Sequence, residues 1–244
     1  TYDLLVTSDL DPPVANGLCE LREAIIIVNT GNNTGAECPF VAGPAIPPDL
    51  TVDDFNIFFD TGGLLPVNTT IELASPLPAI TSTVDISGYD VPNPVDSVTL
   101  TPAPGVTIGS GLTFTQNAAD PTNINANGSG VFGMIIRGFV NGIWVLNATD
   151  VEIGREGGTT AFRENYIYRN DVGIRIAGTI TNRTVVSNNS IGIDENGMES
   201  DINGSFGNTL DGILVLSGAK NTEIGGNTPA EGNIVSNNGR HGIY

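Results

Sequence analysis

Residues 167–174, IYRNDVGI, and residues 186–193, VSNNSIGI, repeat one pattern: a short apolar stretch, an Asn, and then a Gly-Ile pair. The Gly-Ile pair occurs at residues 142–143, 173–174, 192–193, 212–213 and 242–243, with spacings of 31, 19, 20 and 30 residues. Internal repetition of this kind indicates a chain built from stacked units. A unit of about 20 residues holds two or three short strands, and longer units carry loops.

Stacked units pair each strand with its equivalent in the next unit at about 4.8 Å, so Ile and Val stack on Ile and Val inside. Gly and Asn supply the sharp turns between strands. The pattern therefore predicts an all-β fold, a right-handed parallel β-helix solenoid. A β-sandwich or jelly roll is the alternative, but it favours hairpins without a recurring phrase. Predicted strands cover residues 56–59, 70–73, 84–86, 97–100, 112–115, 134–136 and 143–146.

One segment, residues 18–29 (LCELREAIIIVN), has helical apolar spacing. Asn16 is the expected N-cap and Gly31 the expected stop. Of 15 prolines, only Pro229 follows residue 130. We predict an N-terminal cap over residues 1–55 and a β-helix over 56–244, with early Pro-rich coils at 56–130 and regular Gly- and Asn-rich coils at 131–244.

The charge excludes whole classes of protein. The chain has 27 acidic and 9 basic residues and a net charge of −18, whereas nucleic-acid binding needs clustered Lys and Arg. No apolar run reaches the length of about 18 residues that a membrane span needs. The sequence therefore predicts no nucleic-acid partner and no membrane span.

Residues 17–25, GLCELREAI, followed by Val28 and Asn29, resemble the CSLREA-type N-terminal motif of secreted bacterial right-handed β-helix proteins of the pectin-lyase-like superfamily. Glu20 stands where that motif has Ser. The resemblance implies a secreted, extracellular or cell-surface location. It also implies that the helix caps the first coil, and the motif residues are Leu21, Arg22, Glu23, Ala24 and Ile25.

Cys19 and Cys38 lack the second ligand pair of a zinc site. They form either a disulfide or two buried thiols, and the acidic, Lys-poor composition of an extracellular protein favours the disulfide. The sequence also contains seven Asn-x-Ser/Thr sequons as glycosylation candidates: Asn32, Asn68, Asn127, Asn147, Asn182, Asn188 and Asn203.

The residues predict no complete catalytic set. Most arginines fall within residues 137–183, and Arg155, Arg163 and Arg175 are candidates for contacting an acidic glycan. Asp194 and Asp201, in an acidic loop, are candidate hydrolase carboxylates. Ion pairing of the arginines and a solvated acidic loop are the alternatives. His241, the single histidine, is either an acid–base group or an exposed turn residue.

No metal-ligand set or cofactor motif is predicted, although Ca²⁺ is a candidate ligand of the acidic loops at residues 8–11 and 194–201. The chain begins at Thr1 without a leader, so we expect either a removed signal peptide or a trimmed sequence. It stops at Gly242, Ile243 and Tyr244, at the start of a predicted strand, so we expect either a longer parent chain or self-association through this open edge.

We thus expect an extracellular structural or adhesive protein, a filament or cell-surface subunit. The alternatives are a polysaccharide lyase or hydrolase acting on an acidic glycan, and a glycan-binding module without turnover.

Overall fold

The computed structural model describes residues 2–11, 18–31, 38, 40–42, 55–59, 65, 68–88, 97–116, 126–155, 164–202 and 204–244. Within them lie one α-helix, a short 3₁₀ helix (Pro229–Glu231) and 20 strands. Eighteen strands form three sheets, and β16 (Ser200–Asp201) pairs with β17 (Gly204–Ser205) as a separate antiparallel hairpin.

Sheet A contains, in spatial order, β2 (Phe40–Ala42), β1 (Tyr2–Val6), β3 (Phe55–Phe59), β5 (Val84–Ser87), β8 (Gly130–Phe132), β11 (Glu152–Ile153), β14 (Val185–Val186) and β19 (Glu223–Ile224). Sheet B contains β4 (Thr70–Leu73), β6 (Val98–Pro102), β9 (Met134–Arg137), β12 (Asn165–Tyr168), β15 (Asn189–Ile191) and β20 (Ile234–Val235). Sheet C contains β7 (Ser110–Thr115), β10 (Asn141–Leu146), β13 (Val172–Ala177) and β18 (Ile213–Leu216).

From β5 onward the chain visits sheets A, B and C in that order, and we call one such passage a circuit. Each strand pairs in parallel with strands of the neighbouring circuits; of the strand pairs in the described residues, only β1–β2 and β16–β17 are antiparallel. The protein is therefore a β-rich chain of mainly parallel sheets with one α-helix, as predicted at that level. All seven predicted strands coincide with observed ones.

The core is a set of apolar columns that follow the strand register. In sheet A, Ile57, Ile86 and Val131 occupy equivalent positions and are fully buried. In sheet C, Leu112, Ile143 and Ile174 do the same. Side chains of one shape stack at one spacing, so each circuit presents the same apolar surface to the next.

Helix α1 (Leu21–Thr30) begins three residues later than predicted. The start is delayed because Cys19 O accepts hydrogen bonds from Thr7 N and Ser8 N, which holds this residue against the end of β1. Glu20 is the N-cap instead of Asn16, which lies outside the described residues. Gly31 ends the helix in the left-handed conformation (φ 62°), as predicted.

The helix is fastened to the sheets by polar and covalent links. Cys19 and Cys38 form a disulfide, which confirms the pairing over free thiols. Arg22 Nε and Nη2 donate to the carboxylate of Asp11 at 2.6 and 2.9 Å, and Nη1 donates to Pro76 O at 2.6 Å. Asn29 Nδ2 donates to Ala79 O at 2.7 Å. Arg22 and Asn29 therefore join the segment after β1 to the segment between β4 and β5.

The register corrects the predicted 20-residue period. Asn189 aligns with Asn165, not with Asn170 as the phrase comparison implied. Gly192 follows β15 of sheet B, whereas the other four Gly-Ile pairs lie at equivalent sites along sheet C. The apparent period was wrong because the 39-residue step from Gly173 to Gly212 includes the β16–β17 hairpin, and Gly192 divides it by chance.

Candidate functional site

Asn side chains form two ladders, one at each end of the sheet B strands, and all but the last Asn of each ladder are buried. The first ladder lies where the chain passes from sheet A to sheet B, which we call the A–B corner; the passage from sheet B to sheet C is the B–C corner. At the A–B corner, Asn165 Nδ2 donates to Asn189 Oδ1 at 2.9 Å, and Asn189 Nδ2 donates to Asn233 Oδ1 at 2.9 Å. The same amides donate to Val131 O and Ile153 O of sheet A. Each amide thus satisfies backbone groups of one circuit and the Asn of another.

At the B–C corner, Asn170 Nδ2 donates to Asn208 Oδ1 at 3.1 Å, and Asn208 Nδ2 donates to Asn238 Oδ1 at 2.8 Å. Asn208 Oδ1 also accepts the backbone N–H of Asn170 at 3.0 Å. Asn170 and Asn208 are 1% exposed. Since a buried amide must bond at both its oxygen and its nitrogen, only a residue with the reach of Asn fits these sites.

A column of glycines lies beside the second ladder and explains the recurring Gly-Ile pairs. A Cβ on Gly142 would lie 2.6 Å from Gly173 O, and one on Gly173 would lie 2.6 Å from Gly212 O. A Cβ on Gly212 would meet Gly242 O at the same distance. The circuits are therefore too close at this column for any side chain.

The outer face of sheet B carries a polar and aromatic cluster that the sequence reasoning missed. Tyr166 Oη donates to Glu164 at 3.1 Å, and Ser190 Oγ donates to the other oxygen of that carboxylate. Tyr168 Oη donates to Glu195 at 3.2 Å. The signal was present in residues 165–168, NYIY, because alternate strand residues face opposite sides and Ile167 points inward.

An apolar patch supports this cluster from outside the sheet. Tyr168, Ile135 and Phe206 pack together, with the Tyr168 and Phe206 rings edge to face at 5.3 Å. Burial first, and then the negative charge of Glu164, raises the pKa of Tyr166 to about 12. Burial and the charge of Glu195 raise the pKa of Tyr168 as well. Both phenols remain neutral donors in the folded protein at ordinary pH.

The structure does not bring together the four candidate catalytic residues that it describes, Arg155, Arg175, Asp194 and Asp201. Arg155 follows β11 in sheet A, where it bonds to Glu152 and lies 4.2 Å from the ring centroid of Phe132. Arg175 lies on β13 of sheet C, 5.2 Å from the ring centroid of Trp144. Arg163 lies outside the described residues.

The two candidate aspartates hold the segment after β15 in shape. Asp194 Oδ1 accepts the N–H groups of Asn196 at 3.1 Å and Met198 at 2.6 Å, a local turn contact. Asp201 accepts from Arg169 Nη2 at 2.7 Å. The Arg169 guanidinium also covers Phe206 at 4.3 Å, so this ion pair ties the β16–β17 hairpin to β12.

The His241 side chain is bound to a buried acid rather than free. Its Nδ1 lies 2.8 Å from Asp211 Oδ1, and Asp211 has no exposed side-chain surface. Arg240 Nε donates to the same oxygen at 2.9 Å. Bonding from Arg240, and then from His241, lowers the pKa of Asp211. The ring of His241 stacks on Tyr244 at 4.9 Å.

The residues of the predicted assembly edge lie on the last circuit. Gly242 O lies 2.6 Å from where a Cβ on Gly212 would be, so Gly242 continues the glycine column. Ile243 forms a parallel bridge with Ile213. Ile243 is 53% exposed and Tyr244 65%.

Of the glycosylation candidates in the described residues, Asn68 alone is classed as exposed, while Asn127, Asn147, Asn182 and Asn188 are half-buried. Asn32 and Asn203 fall outside the described residues.

Among described residues, no group of three or more His, Cys, Asp or Glu could hold a metal ion. No helix in the same part of the chain is long and apolar enough to cross a membrane. No family model, curated protein or solved structure matches the chain.

Proposed function

We propose that this protein is a structural or adhesive module of a secreted or cell-surface protein, built as a right-handed parallel β-helix with a helical N-terminal cap. The order of strands in sheets A, B and C supports the β-helix. The resemblance of residues 17–25 to the CSLREA-type motif and the Cys19–Cys38 disulfide support an oxidising, extracellular location.

The observation that carries the structural role is the pair of Asn ladders with the glycine column between circuits. These features fix the spacing of neighbouring circuits through inward-facing hydrogen bonds and close backbone contacts, and the same geometry repeats from circuit to circuit. A frame held in this way displays its outer faces in constant positions. Such a frame suits adhesion or load-bearing.

The charged side chains agree with this role. Arg22, Arg155, Arg169, Arg183 and Arg240 each contact a carboxylate of the same chain. A guanidinium that is already neutralised is a poor partner for the carboxylate of an acidic glycan.

A turnover assay tests the proposal. The oxidised protein is incubated with uronate and neutral polysaccharides, and new reducing ends and unsaturated products are followed. We expect no product above a heat-denatured sample. Turnover that disappears in Arg155→Gln or Asp201→Asn would contradict the structural role and favour a lyase or hydrolase.

The location has its own test. Native protein is extracted in the presence of a thiol-alkylating reagent and its intact mass is measured. We expect neither cysteine to be alkylated before reduction and both to be alkylated after it.

The sheet B cluster favours a second candidate, a glycan-binding module without turnover. Tyr166 and Glu164 are half-buried and present a ring and hydrogen-bonding groups on one outer surface, with Tyr168, 5% exposed, packed beside them. Arg137 Nε, beside them, is buried and has no partner among the described residues. Saturable binding of a saccharide that is lost in Tyr166→Ala, without product, would support this candidate.

A further inference from the structure

Sheet C differs from the other two sheets in its charge. Its four strands, β7, β10, β13 and β18, contain no Asp or Glu. Sheet A carries Asp3, Asp85, Glu152 and Glu223 in one register row, and sheet B carries Glu72. In a chain of net charge −18, sheet C is therefore the face where carboxylates are absent from the strands.

The outer row of sheet C combines apolar, aromatic and basic side chains. Thr113, Trp144, Arg175 and Leu214 align across the four strands and are half-buried. Their neighbours along the strands, including Ile143, Val145, Ile174 and Ile176, point inward and are fully buried. Leu146 and Leu216 extend the outer apolar surface by a second row. Aromatic and Arg side chains, here Trp144 and Arg175, are enriched in protein–protein interfaces.

Arg175 has no carboxylate partner in the described part of the chain, unlike the five paired arginines. Its guanidinium lies 5.2 Å from the Trp144 ring centroid. Arg175 Nε and Trp144 Nε1 are buried donors without hydrogen-bond partners among described residues. Both side chains are half-buried, so their remaining exposed surface, and not these two nitrogen atoms, is open to a contact from another chain.

We propose that the outer face of sheet C is a self-association surface, on which a second copy of this chain packs face to face. A two-fold axis between β10 and β13 brings each Trp144 ring opposite Arg175 of the partner subunit, which completes a cation–π contact on both sides. A second copy fits because two acidic chains repel wherever their carboxylates face one another, and on sheet C they do not.

The size of the face sets the strength of this contact. Four strands spaced by about 4.8 Å, each with four to six residues at about 3.3 Å per residue, make a face of about 400 Å² at most. This is about half of the roughly 800 Å² per partner of a standard stable interface. The dimer is therefore weak and forms at high local concentration, as on a crowded cell surface. The inference deepens the proposed structural role and rests on it.

The single tryptophan makes the test specific, because Trp144 alone reports tryptophan fluorescence. The oxidised full chain is examined by sedimentation velocity and by fluorescence from micromolar to millimolar concentration. We expect a monomer–dimer equilibrium with a concentration-dependent blue shift. Added salt strengthens the dimer, since it screens the remaining repulsion between chains.

Two variants place a carboxylate in the face. Leu214→Asp and Thr113→Asp are expected to weaken association at least about tenfold, because a buried unpaired charge opposes the contact. Thr101→Asp, at a half-buried position on sheet B, is the matched control and leaves association unchanged. Unaltered circular dichroism and melting temperature show that a variant is folded. If one of the two sheet C variants fails to fold, the other still tests the proposal.

A monomer at every concentration would overturn the proposal, as would a dimer that both sheet C variants leave intact. Quenching of Trp144 by an added uronate oligosaccharide in a monomeric sample would also overturn it and assign the face to a glycan. Each of these results is independent of the turnover assay, so the proposed structural role and this inference fail separately.

Discussion

The N-terminal region and the later circuits carry the same stacked sheets but hold them together differently. Residues 2–31 rely on single devices: helix α1, a disulfide and the Arg22–Asp11 ion pair. From about residue 130 the chain uses repeated devices, the Asn ladders and the glycine column. The difference teaches that closing a stack needs an irregular element, whereas extending it needs one solution used repeatedly.

The glycine column gives the largest expected effect. Gly173→Ala places a Cβ 2.6 Å from the backbone oxygen of Gly212, which side-chain motion cannot relieve. We expect a loss of about 4 kcal/mol in the free energy of unfolding, measured by urea denaturation. Gly109→Ala, where a Cβ meets nothing within 4 Å, is the control and should change stability by less than about 0.5 kcal/mol. Equal effects would show that circuit spacing does not depend on this column.

Removing the disulfide tests how the N-terminal region is held together. Cys19→Ser combined with Cys38→Ser should cost about 3 kcal/mol, because the link closes a loop across 19 residues of sequence. Hydrogen exchange should quicken first in α1 and β1, while β12 and β13 keep their protection. Uniform quickening along the chain would mean that the two regions unfold as one unit.

Removing one ladder residue should change hydrogen exchange in the later circuits and leave the N-terminal region unchanged, the reverse of the disulfide variant. Asn208→Ala leaves the backbone N–H of Asn170 without its acceptor. It also removes one of two hydrogen bonds from Asn170 Nδ2, which keeps Ile136 O, and one of two from Ile167 O, which keeps Gly192 N. We expect a loss of about 2 kcal/mol and faster exchange in β12 and β13, with α1 unaffected. Asn227→Ala, at an exposed position outside the ladders, is the matched control. A similar loss in both variants would contradict a specific contribution of the Asn ladder to stability.

The smallest expected effect concerns pH and the last circuit. Arg240 and His241 lower the pKa of Asp211, so its ionised form stabilises the folded chain above pH about 4, the unfolded value. This contribution is lost as pH falls through the lower folded pKa. Asp211→Asn should flatten the stability curve between pH 5 and pH 2 in thermal melts. Asp9→Asn, at an exposed site, should keep the slope; a slope unchanged in Asp211→Asn would contradict the prediction.

Much of the fold could be predicted because the strands are short, apolar and bounded by turn residues. The helix and its Gly31 end were also readable, since both depend on local spacing and backbone conformation. The repeat register was not, because Gly192 imitates the glycine column in sequence and only strand pairing separates them. Local patterns cannot show which residues 24 to 44 positions apart meet.

The site was predicted less well for the same reason. Arg155 and Arg175 are close in sequence, but successive strands send them to different sheets. Tyr166 and Glu195 come near one another only because β15 returns beside β12. Predicting the surface cluster therefore needs the sheet order, not the composition of a segment.

The ladders also impose a direction in time. Asn165, Asn170, Asn189 and Asn208 each donate to an Asn that lies 24 to 44 residues later in the chain. In a chain made from its N-terminus at about 5–20 residues per second, each of these amides waits seconds for its acceptor. We therefore expect order to advance along the chain in the direction of synthesis. A defect in one circuit leaves the Asn of the preceding circuit without its acceptor.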